Sequence, residues 1–423
     1  MLRAPLYANS AFLMANTAAT AALGFVFWNA VTRLHSAETV GVASALLAAA
    51  GLLVYVASLG LGSGLIRYLP GAGNGASDLV NSCYTLAALV AAGLAALFLA
   101  GLPIWSPALM PVRASPIFAA AFVAFVAAAA IFGLIDQTFV ALRRTEFVLL
   151  NDTLQCLLKV GLVLVLARFF DLFGVFASWG LATAGMVCLS AFVLLRRRLP
   201  GYWPRPSLRR QASDEMIRFS FANYVSNGLW SLPAWLLPIV VVNTAGAAAN
   251  AYFFIAWGLA ALLFAIPGAV ATSLFAEGSH REAHLSRDVR RSLMLLGCLL
   301  LPAMAVMLLI GDRLLGLFGQ EYSAAGTAVL RVLVLAAVPV AVNLLYIGIS
   351  RVRKRLRGVV LVSGGVAVGT LGLSYVLIPS LGTVGPAVGW LVSQSLVALA
   401  VLPSVLGSLR SAPAAPSVEG KGG

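Results

Sequence analysis

The sequence predicts an all-α integral membrane protein of about twelve transmembrane helices, arranged as two six-helix lobes in a parallel repeat. Three observations predict it. The chain is overwhelmingly apolar, its basic residues fall on one side of the apolar runs, and a local spacing recurs at an offset of 211 residues, from Gly174 to Gly385.

Of the 423 residues, 61% are hydrophobic and 10% charged, and the mean hydropathy is +0.98. An aqueous surface needs far more charge than that. The net charge of +14 would suit a nucleic acid only if it covered a face of a folded soluble module. Here the basic residues sit in short loops between apolar runs, so a membrane accounts for them and no nucleic-acid partner is expected. The four cysteines, Cys83, Cys156, Cys188 and Cys298, fall inside the apolar runs. There a thiol acts as a small apolar side chain, and no disulfide is expected. The first run, from about Tyr7 to Leu34, is too long for a cleavable signal and should remain as a spanning helix.

Taken in order, with roughly 20 apolar residues asked of each span, the first six helices lie near 6–32, 39–66, 79–101, 116–140, 147–168 and 174–195. The second six lie near 216–242, 247–274, 290–310, 324–349, 357–378 and 384–407. The expected domains are an N-terminal lobe at 1–200, a cytoplasmic linker at 201–215, a C-terminal lobe at 216–410 and a disordered cytoplasmic tail at 411–423. The tail is rich in Ala, Pro, Ser and Gly and has too little apolar surface to fold.

Orientation follows from the loop charges. With the N-terminus in the cytoplasm, 22 of the 28 Lys and Arg residues fall inside, among them Arg143, Arg144, Arg196, Arg197, Arg198, Lys354 and Arg355. Four fall outside (Arg33, Arg113, Arg168 and Arg313) and two lie within spans (Lys159 and Arg331). Both termini are then cytoplasmic. The repeat is carried by Arg143-Arg144, Gly174 and Trp179, which reappear as Lys354-Arg355, Gly385 and Trp390. A second match, Tyr7-Ala8-Asn9 with Phe221-Ala222-Asn223, has an offset of 214. Because six helices return the chain to its starting side, the halves run parallel about an axis along the membrane normal, an arrangement suited to alternating access.

Ionisable residues inside lipid-compatible helices are costly and mark candidate sites. Lys159 lies fifteen residues past Arg144, roughly 22 Å into the membrane at 1.5 Å per residue. Asp152 is seven residues earlier, on nearly the same face, and Asp136 lies at similar depth on the preceding helix. Two readings stay open. In one, Lys159 attracts an anionic head group and Asp136 or Asp152 takes up a proton or sodium ion. In the other, an Asp–Lys pair only locks two helices together.

Other candidates for substrate contact are Arg67 at the end of the second helix, Arg33 near the first outer turn, and Asn223, Asn227 and Trp230, which share a face at i, i+4 and i+7. The bland accounts are a positive-inside residue for Arg67, a local ion pair with Glu38 for Arg33, and helix packing for the amides. Pro233 and Pro238 are expected to break the helix after Trp230. Gly60-Leu61-Gly62-Ser63-Gly64 has neither a preceding strand nor a following Lys-Ser/Thr, so it is no nucleotide loop. His280 and His284 flank Glu282 in the wrong order for HExxH and lack a third ligand. No catalytic constellation, metal site or cofactor is expected.

Phe27-Trp28-Asn29-Ala30-Val31-Thr32-Arg33-Leu34, with Glu38 and Val40-Gly41, resembles the first hairpin of bacterial polysaccharide transporters. These are the Wzx-like flippases of the multidrug/oligosaccharidyl-lipid/polysaccharide (MOP) exporter superfamily. Gly60-Leu61-Gly62 ending in Arg67, Phe275-Ala276-Glu277-Gly278-Ser279 and Val384-Gly385-Pro386-Ala387-Val388-Gly389-Trp390 are similar as well. The resemblance covers most of the chain and its motifs are marks of the fold. It implies a MATE/MOP-like pair of lobes around a V-shaped cavity in a bacterial inner membrane. It also implies translocation of an undecaprenyl-pyrophosphate-linked oligosaccharide for polysaccharide or lipopolysaccharide synthesis, with proton or sodium coupling. Its partners would be the lipid-linked oligosaccharide, membrane lipids and other polysaccharide-assembly membrane proteins. Two alternatives stay open: a multidrug or cation antiporter of the same fold, and a non-transporting membrane enzyme or scaffold for envelope glycan assembly.

Overall fold

A backbone crossing lipid finds no water to bond, so each span must satisfy its own N–H and C=O groups as a helix. A computed structural model describes residues 4–208, 214–280 and 285–410, with side chains at 9, 11–208, 224–278 and 285–409. The described residues contain helices and no strand. They are α1 (Ala4–Leu34), α2 (Ala37–Ala57), α3 (Leu61–Tyr68), α4 (Ala76–Trp105), the short α5 (Pro111–Ala114), α6 (Pro116–Ala141), α7 (Thr145–Leu166), α8 (Leu172–Leu189) and the short α9 (Leu195–Arg198). There follow α10 (Asp214–Thr244), α11 (Ala247–His280), α12 (Leu285–Gly316), α13 (Gln320–Val352), α14 (Leu356–Leu381) and α15 (Gly385–Arg410).

Eleven helical stretches among the described residues are long and apolar enough to span a bilayer, the last being Leu356–Leu409 with 54 residues. At 1.5 Å per residue that stretch would measure about 80 Å, far beyond the ~30 Å hydrocarbon core. It is in fact two helices, α14 and α15, separated by a 3-10 turn at Gly382–Val384 where Gly382 takes a φ of 54°. The spans therefore number twelve among the described residues, and the chain is a multi-pass membrane protein. The expected tail at 411–423 and linker residues 209–213 lie outside the described residues.

Two expected boundaries are corrected. The run 39–66 is not one helix: it breaks after Ala57, where Leu59 and Gly60 adopt φ values of 48° and 73°. A non-glycine left-handed residue costs about 1 kcal/mol or more, and the break frees the last carbonyls of α2 for side-chain donors. Conversely, Pro233 and Pro238 do not end α10, which continues through both to Thr244. Membrane helices tolerate proline because neighbouring groups and local adjustments satisfy the freed carbonyls.

The repeat has a backbone signature as well as a sequence one. Arg143 and Lys354, 211 residues apart, take left-handed φ values of 56° and 57°. Arg144 N–H donates to Phe139 O at 2.9 Å and Arg355 N–H to Ser350 O at 2.8 Å, again at the same offset. Later in each repeat a β-carbon on Gly174 would meet Leu166 O at 2.9 Å, and one on Gly385 would meet Leu377 C at 2.9 Å. Only glycine lets the next helix start this close to the end of the last.

By internal contacts the chain divides into Met1–Phe254 with Leu317–Gln320, and Ile255–Gly316 with Glu321–Gly423. These compact units differ from the expected lobes in placing α10 and the start of α11 with the first. In the first unit, stacked and tilted rings of Phe98, Phe122, Phe118 and Phe176 fill the space between α4, α6 and α8. In the second, α14 and α15 approach through small residues, with Gly369 against Ser393 and Gly389 against Ser374. Buried Asn343 of α13 donates to the side chain of Gln394 on α15 at 2.6 Å.

Candidate functional site

Asp136 on α6 and Asp152 on α7 come together. Their carboxyls lie within interacting distance of each other. Each also receives an amide. Asn151 Nδ2 donates to Asp136 Oδ1 at 2.8 Å, and Asn16 Nδ2 of α1 donates to Asp152 Oδ2 at 2.7 Å. Asn151 is fully buried and in turn accepts from Ser190 Oγ at 2.7 Å. Ser190 opens the one π-helical turn among the described residues, Ser190–Leu194 at the end of α8. Four helices thus converge on the pair, and the π turn turns the hydroxyl inward; such turns recur at functional sites.

Lys159 lies two turns further along α7. It forms no ion pair with either aspartate. Its ammonium sits 4.7 Å from the centre of the Phe27 ring on α1, a cation–π contact worth roughly 0.5–2 kcal/mol. The reading of an Asp–Lys helix lock is therefore replaced by two separate centres along the α1–α7 seam: a carboxyl pair held by amides, and a lysine over an aromatic face.

The remaining candidates do not converge on these centres. Arg33 does not pair with Glu38. Its Nε donates to Asn29 Oδ1 at 3.1 Å and its Nη2 to Leu317 O at 3.1 Å, while Asn29 Nδ2 donates to the same carbonyl at 2.6 Å. A carbonyl just past a helix end has no helical partner, and a guanidinium supplies one. Arg67, near the end of α3, lies 5.6 Å from the Tyr68 ring centre. The side chain of Asn223 lies outside the described residues. Asn227 lines a second site, described next, and Trp230 does not.

This second site is a cavity of about 400 Å³ between α2, α3, α6 and α10. Tyr55 stacks on Tyr224 with ring centres 4.8 Å apart and planes at 4°, and Trp235 covers Tyr55 at 4.9 Å. The tyrosines clasp each other's backbones: Tyr55 OH donates to Tyr224 O, and Tyr224 OH reaches Tyr55 O at 2.9 Å. Gly51 admits the Trp235 indole and Gly62 admits Gln137, with hypothetical β-carbons at 3.2 and 2.8 Å from them. Among the described residues the polar lining consists of Gln137, Asn227, Ser58, Ser63, the tyrosines and the Trp235 indole, with no carboxylate, ammonium or guanidinium. Ala130, Gly133, Leu134 and Gln137 form the α6 wall at i, i+3, i+4 and i+7, so the residue next to Asp136 in sequence faces this cavity.

Sequence reasoning missed Asn16, Asn151, Ser190, Tyr55, Gln137, Tyr224 and Trp235. One signal was available: Asn16, Asn151 and Gln137 are strong hydrogen-bonding side chains within apolar runs, and such groups seek partners in lipid.

The family model for "Polysaccharide biosynthesis protein" matches residues 6–276. No curated protein sequence matches the chain. Among solved structures, the lipid II flippase MurJ in an inward closed conformation is similar with a TM-score of 0.70 at 12% identity, covering 94% of this chain and 88% of that one. The MATE multidrug transporter DinF-BH gives 0.67 at 13% identity, covering 97% of each chain. A MOP superfamily transporter from Pyrococcus furiosus gives 0.59 at 15% identity, covering 96% of this chain and 95% of that one. At such identities the likeness is one of fold, a helical MOP-type bundle matching nearly end to end. The family match spans more than half of the sequence, and the chain belongs to the polysaccharide biosynthesis protein family.

Proposed function

We propose that the protein is a flippase that carries a polyprenyl-pyrophosphate-linked oligosaccharide across a bacterial inner membrane by alternating access, with both termini in the cytoplasm. The observation that carries this reading is the uncharged cavity of Tyr55, Tyr224, Trp235, Gln137 and Asn227. Ring faces and amides suit sugar rings and hydroxyls; ring faces alone also hold organic cations, and it is the amides, with no carboxylate among the described lining residues, that favour the sugar. Family membership and the MOP-type fold support the same reading. The cavity is neutral rather than basic, so the pyrophosphate would be met elsewhere: Lys159 is the candidate within the membrane, and Arg67 and Arg33 are candidates near the helix ends.

The Asp136–Asp152 pair is the proposed coupling centre. A proton or sodium ion entering between the carboxyls changes the charge held beside α6, and the neighbouring residue on α6 is Gln137 of the cavity wall. Ion occupancy and cargo occupancy thus act on one helix. No chemical step on the cargo is assigned, and the protein needs no cofactor for this role. Membrane lipids and other polysaccharide-assembly membrane proteins are its proposed partners.

A second reading, exchange of an organic cation for protons, draws on the same carboxyl pair. Deleting the gene and analysing lipid-linked intermediates separates the two. Accumulation of cytoplasmic-leaflet lipid-linked oligosaccharide supports the flippase. Unchanged lipid intermediates together with increased sensitivity to cationic drugs overturns it in favour of the exchanger.

A further inference from the structure

The segment after α9 is not a free linker. It runs extended through 203–208 across the first turns of α4 and is pinned there by four polar contacts. Asn81 Nδ2 donates to Trp203 O at 2.9 Å, Ser207 N–H to Thr85 Oγ1 at 3.0 Å, Ser82 Oγ to Ser207 Oγ at 3.4 Å, and Arg205 Nη2 to Asp78 Oδ1 at 2.6 Å. Prolines 204 and 206 have no N–H to leave unpaired and keep the strap extended.

Between strap, α4 and α8 lies a cleft of about 410 Å³, larger than any one side chain needs. Its walls are apolar: Ala88, Leu89, Ile131, Val187, Ala191 and Phe192. It opens on the outer surface of the bundle, where Leu89 and Phe192 are 57% and 51% exposed. The π turn that sends Ser190 to the carboxyl pair sets Ala191 and Phe192 on the cleft side. Tyr202 lines the cleft and is 4% exposed, yet its hydroxyl has no protein partner. Burial pushes the pKa of that hydroxyl up to about 12, so it stays a donor. Arg205, exposed and bonded to Asp78, lines the cleft beside Pro204 and Pro206. Arg196 lies 4.2 Å from the centre of the half-exposed Trp203 ring, a pairing typical of the headgroup level of a membrane.

We infer that this cleft is a binding site for an anionic phospholipid of the cytoplasmic leaflet, with an acyl chain between α4 and α8 and the phosphate between Tyr202 and Arg205. Apolar walls take a chain, and guanidinium groups take a phosphate bidentately. Basic pockets at the cytoplasmic ends of membrane helices hold anionic headgroups in this way. The inference rests on the orientation proposed above and not on the identity of the cargo. The bound lipid would brace the strap that joins the two halves of the sequence.

The test uses the purified full chain, delipidated in mild detergent and offered phosphatidylglycerol, phosphatidylcholine or undecaprenyl phosphate, with retention read by native mass spectrometry. One phosphatidylglycerol should be retained at least about tenfold better than phosphatidylcholine. Tyr202→Phe, which keeps the ring, should weaken retention by about tenfold, the worth of one hydrogen bond to a charged group. Cys188→Trp, placed at the cleft mouth, should abolish it. Melting of each variant without lipid checks that it folds, and Tyr202→Phe suffices if the tryptophan variant does not. Equal retention of the two phospholipids, or a Tyr202→Phe variant that binds as the parent does, overturns the inference. Preferred retention of undecaprenyl phosphate overturns the phospholipid and assigns the cleft to the tail of a polyprenyl lipid. Since no transport is measured, failure here leaves the flippase reading untouched.

Discussion

Asn151 is the residue on which the carboxyl centre turns. Its side chain is fully buried and makes two bonds, donating to Asp136 at 2.8 Å and accepting from Ser190 at 2.7 Å. Asn151→Ala removes both and leaves a hydroxyl and a carboxyl short of a partner. Side-chain bonds between membrane helices average about 0.6 kcal/mol and reach about 1.7. Taking about 0.6 for the serine bond and about 1.5, near the upper end, for the aspartate bond to the fully buried Asn151 gives a loss of about 2 kcal/mol. The share belonging to Asp136 is isolated by a double-mutant cycle with Asp136→Leu, read by equilibrium unfolding in mixed detergent–SDS micelles. A coupling energy near 1.5 kcal/mol is expected, since Asn151→Ala should cost far less once its partner is gone. Additivity of the two changes within about 0.5 kcal/mol, the behaviour of independent sites, would refute the network. A proton- or sodium-driven flux that survives in Asn151→Ala would separate the network from coupling.

Three further outcomes follow from single contacts. A β-carbon at Gly41 would lie 1.8 Å from Ala247 O, whereas one at Gly24 meets nothing within 4 Å. Gly41→Ala should therefore lower the melting temperature in detergent and weaken the 2.7 Å bond from Asn250 to Gly41 O, at a cost of about 1–3 kcal/mol or more, while Gly24→Ala should be neutral. Arg143→Val and Lys354→Val place a β-branched residue at a left-handed φ and should each cost about 1–2 kcal/mol; glycine at either position should be tolerated, as differential scanning fluorimetry can read. Lys159→Ala gives up the contact with Phe27 and should reduce flux of a lipid-linked oligosaccharide in proteoliposomes at matched expression, with Lys159→Arg retaining part of it.

The spans were legible because a helix in lipid is announced by its own residues: one apolar run, one helix. Apolarity does not report a kink, so the break at Leu59 was hidden among glycines that a membrane helix could equally have absorbed. The turn geometry at Arg143 and Lys354 was legible for a different reason. A duplicated sequence must fold the same way twice, and the equal offsets pointed to a shared backbone. Depth pointed to a meeting of Asp136 with Asp152 without fixing it, since neighbouring helices joined by a short turn bring equal depths together but leave open which faces meet. The partners were not legible. Asn16 reaches Asp152 across 136 residues and Ser190 reaches Asn151 across 39, and no local pattern encodes which faces will meet. Tyr55 and Trp235 look in sequence like interfacial or lipid-facing aromatics, and only packing shows them turned into one cavity. Arg33 was misassigned because Glu38 is near in sequence, while the carbonyl that it satisfies is 284 residues away.

The duplication also separates residues that hold the fold from residues that do its work. At an offset of 211 the frame positions keep their roles: Arg143 with Lys354, and Gly174 against Leu166 with Gly385 against Leu377. The charged positions do not, for Asp136, Asp152 and Lys159 correspond to Ile347, Ser363 and Thr370. Substitutions in the two classes should then act oppositely. Gly174→Ala and Gly385→Ala, each forcing a β-carbon to about 2.9 Å from backbone, should destabilise by similar amounts of about 1–3 kcal/mol and leave the ions moved per cargo unchanged. Asp136→Asn together with Asp152→Asn keeps the shape and the acceptors for Asn151 and Asn16 while removing two buried carboxyls. Neutral replacement of buried ionisable groups is often neutral or stabilising, so melting should hold or rise. The dependence of flux on an imposed pH or sodium gradient should disappear, leaving cargo exchange down its own gradient. A double variant that unfolds would make the pair a structural clasp, and one that still follows the gradient would move the coupling site elsewhere in the protein.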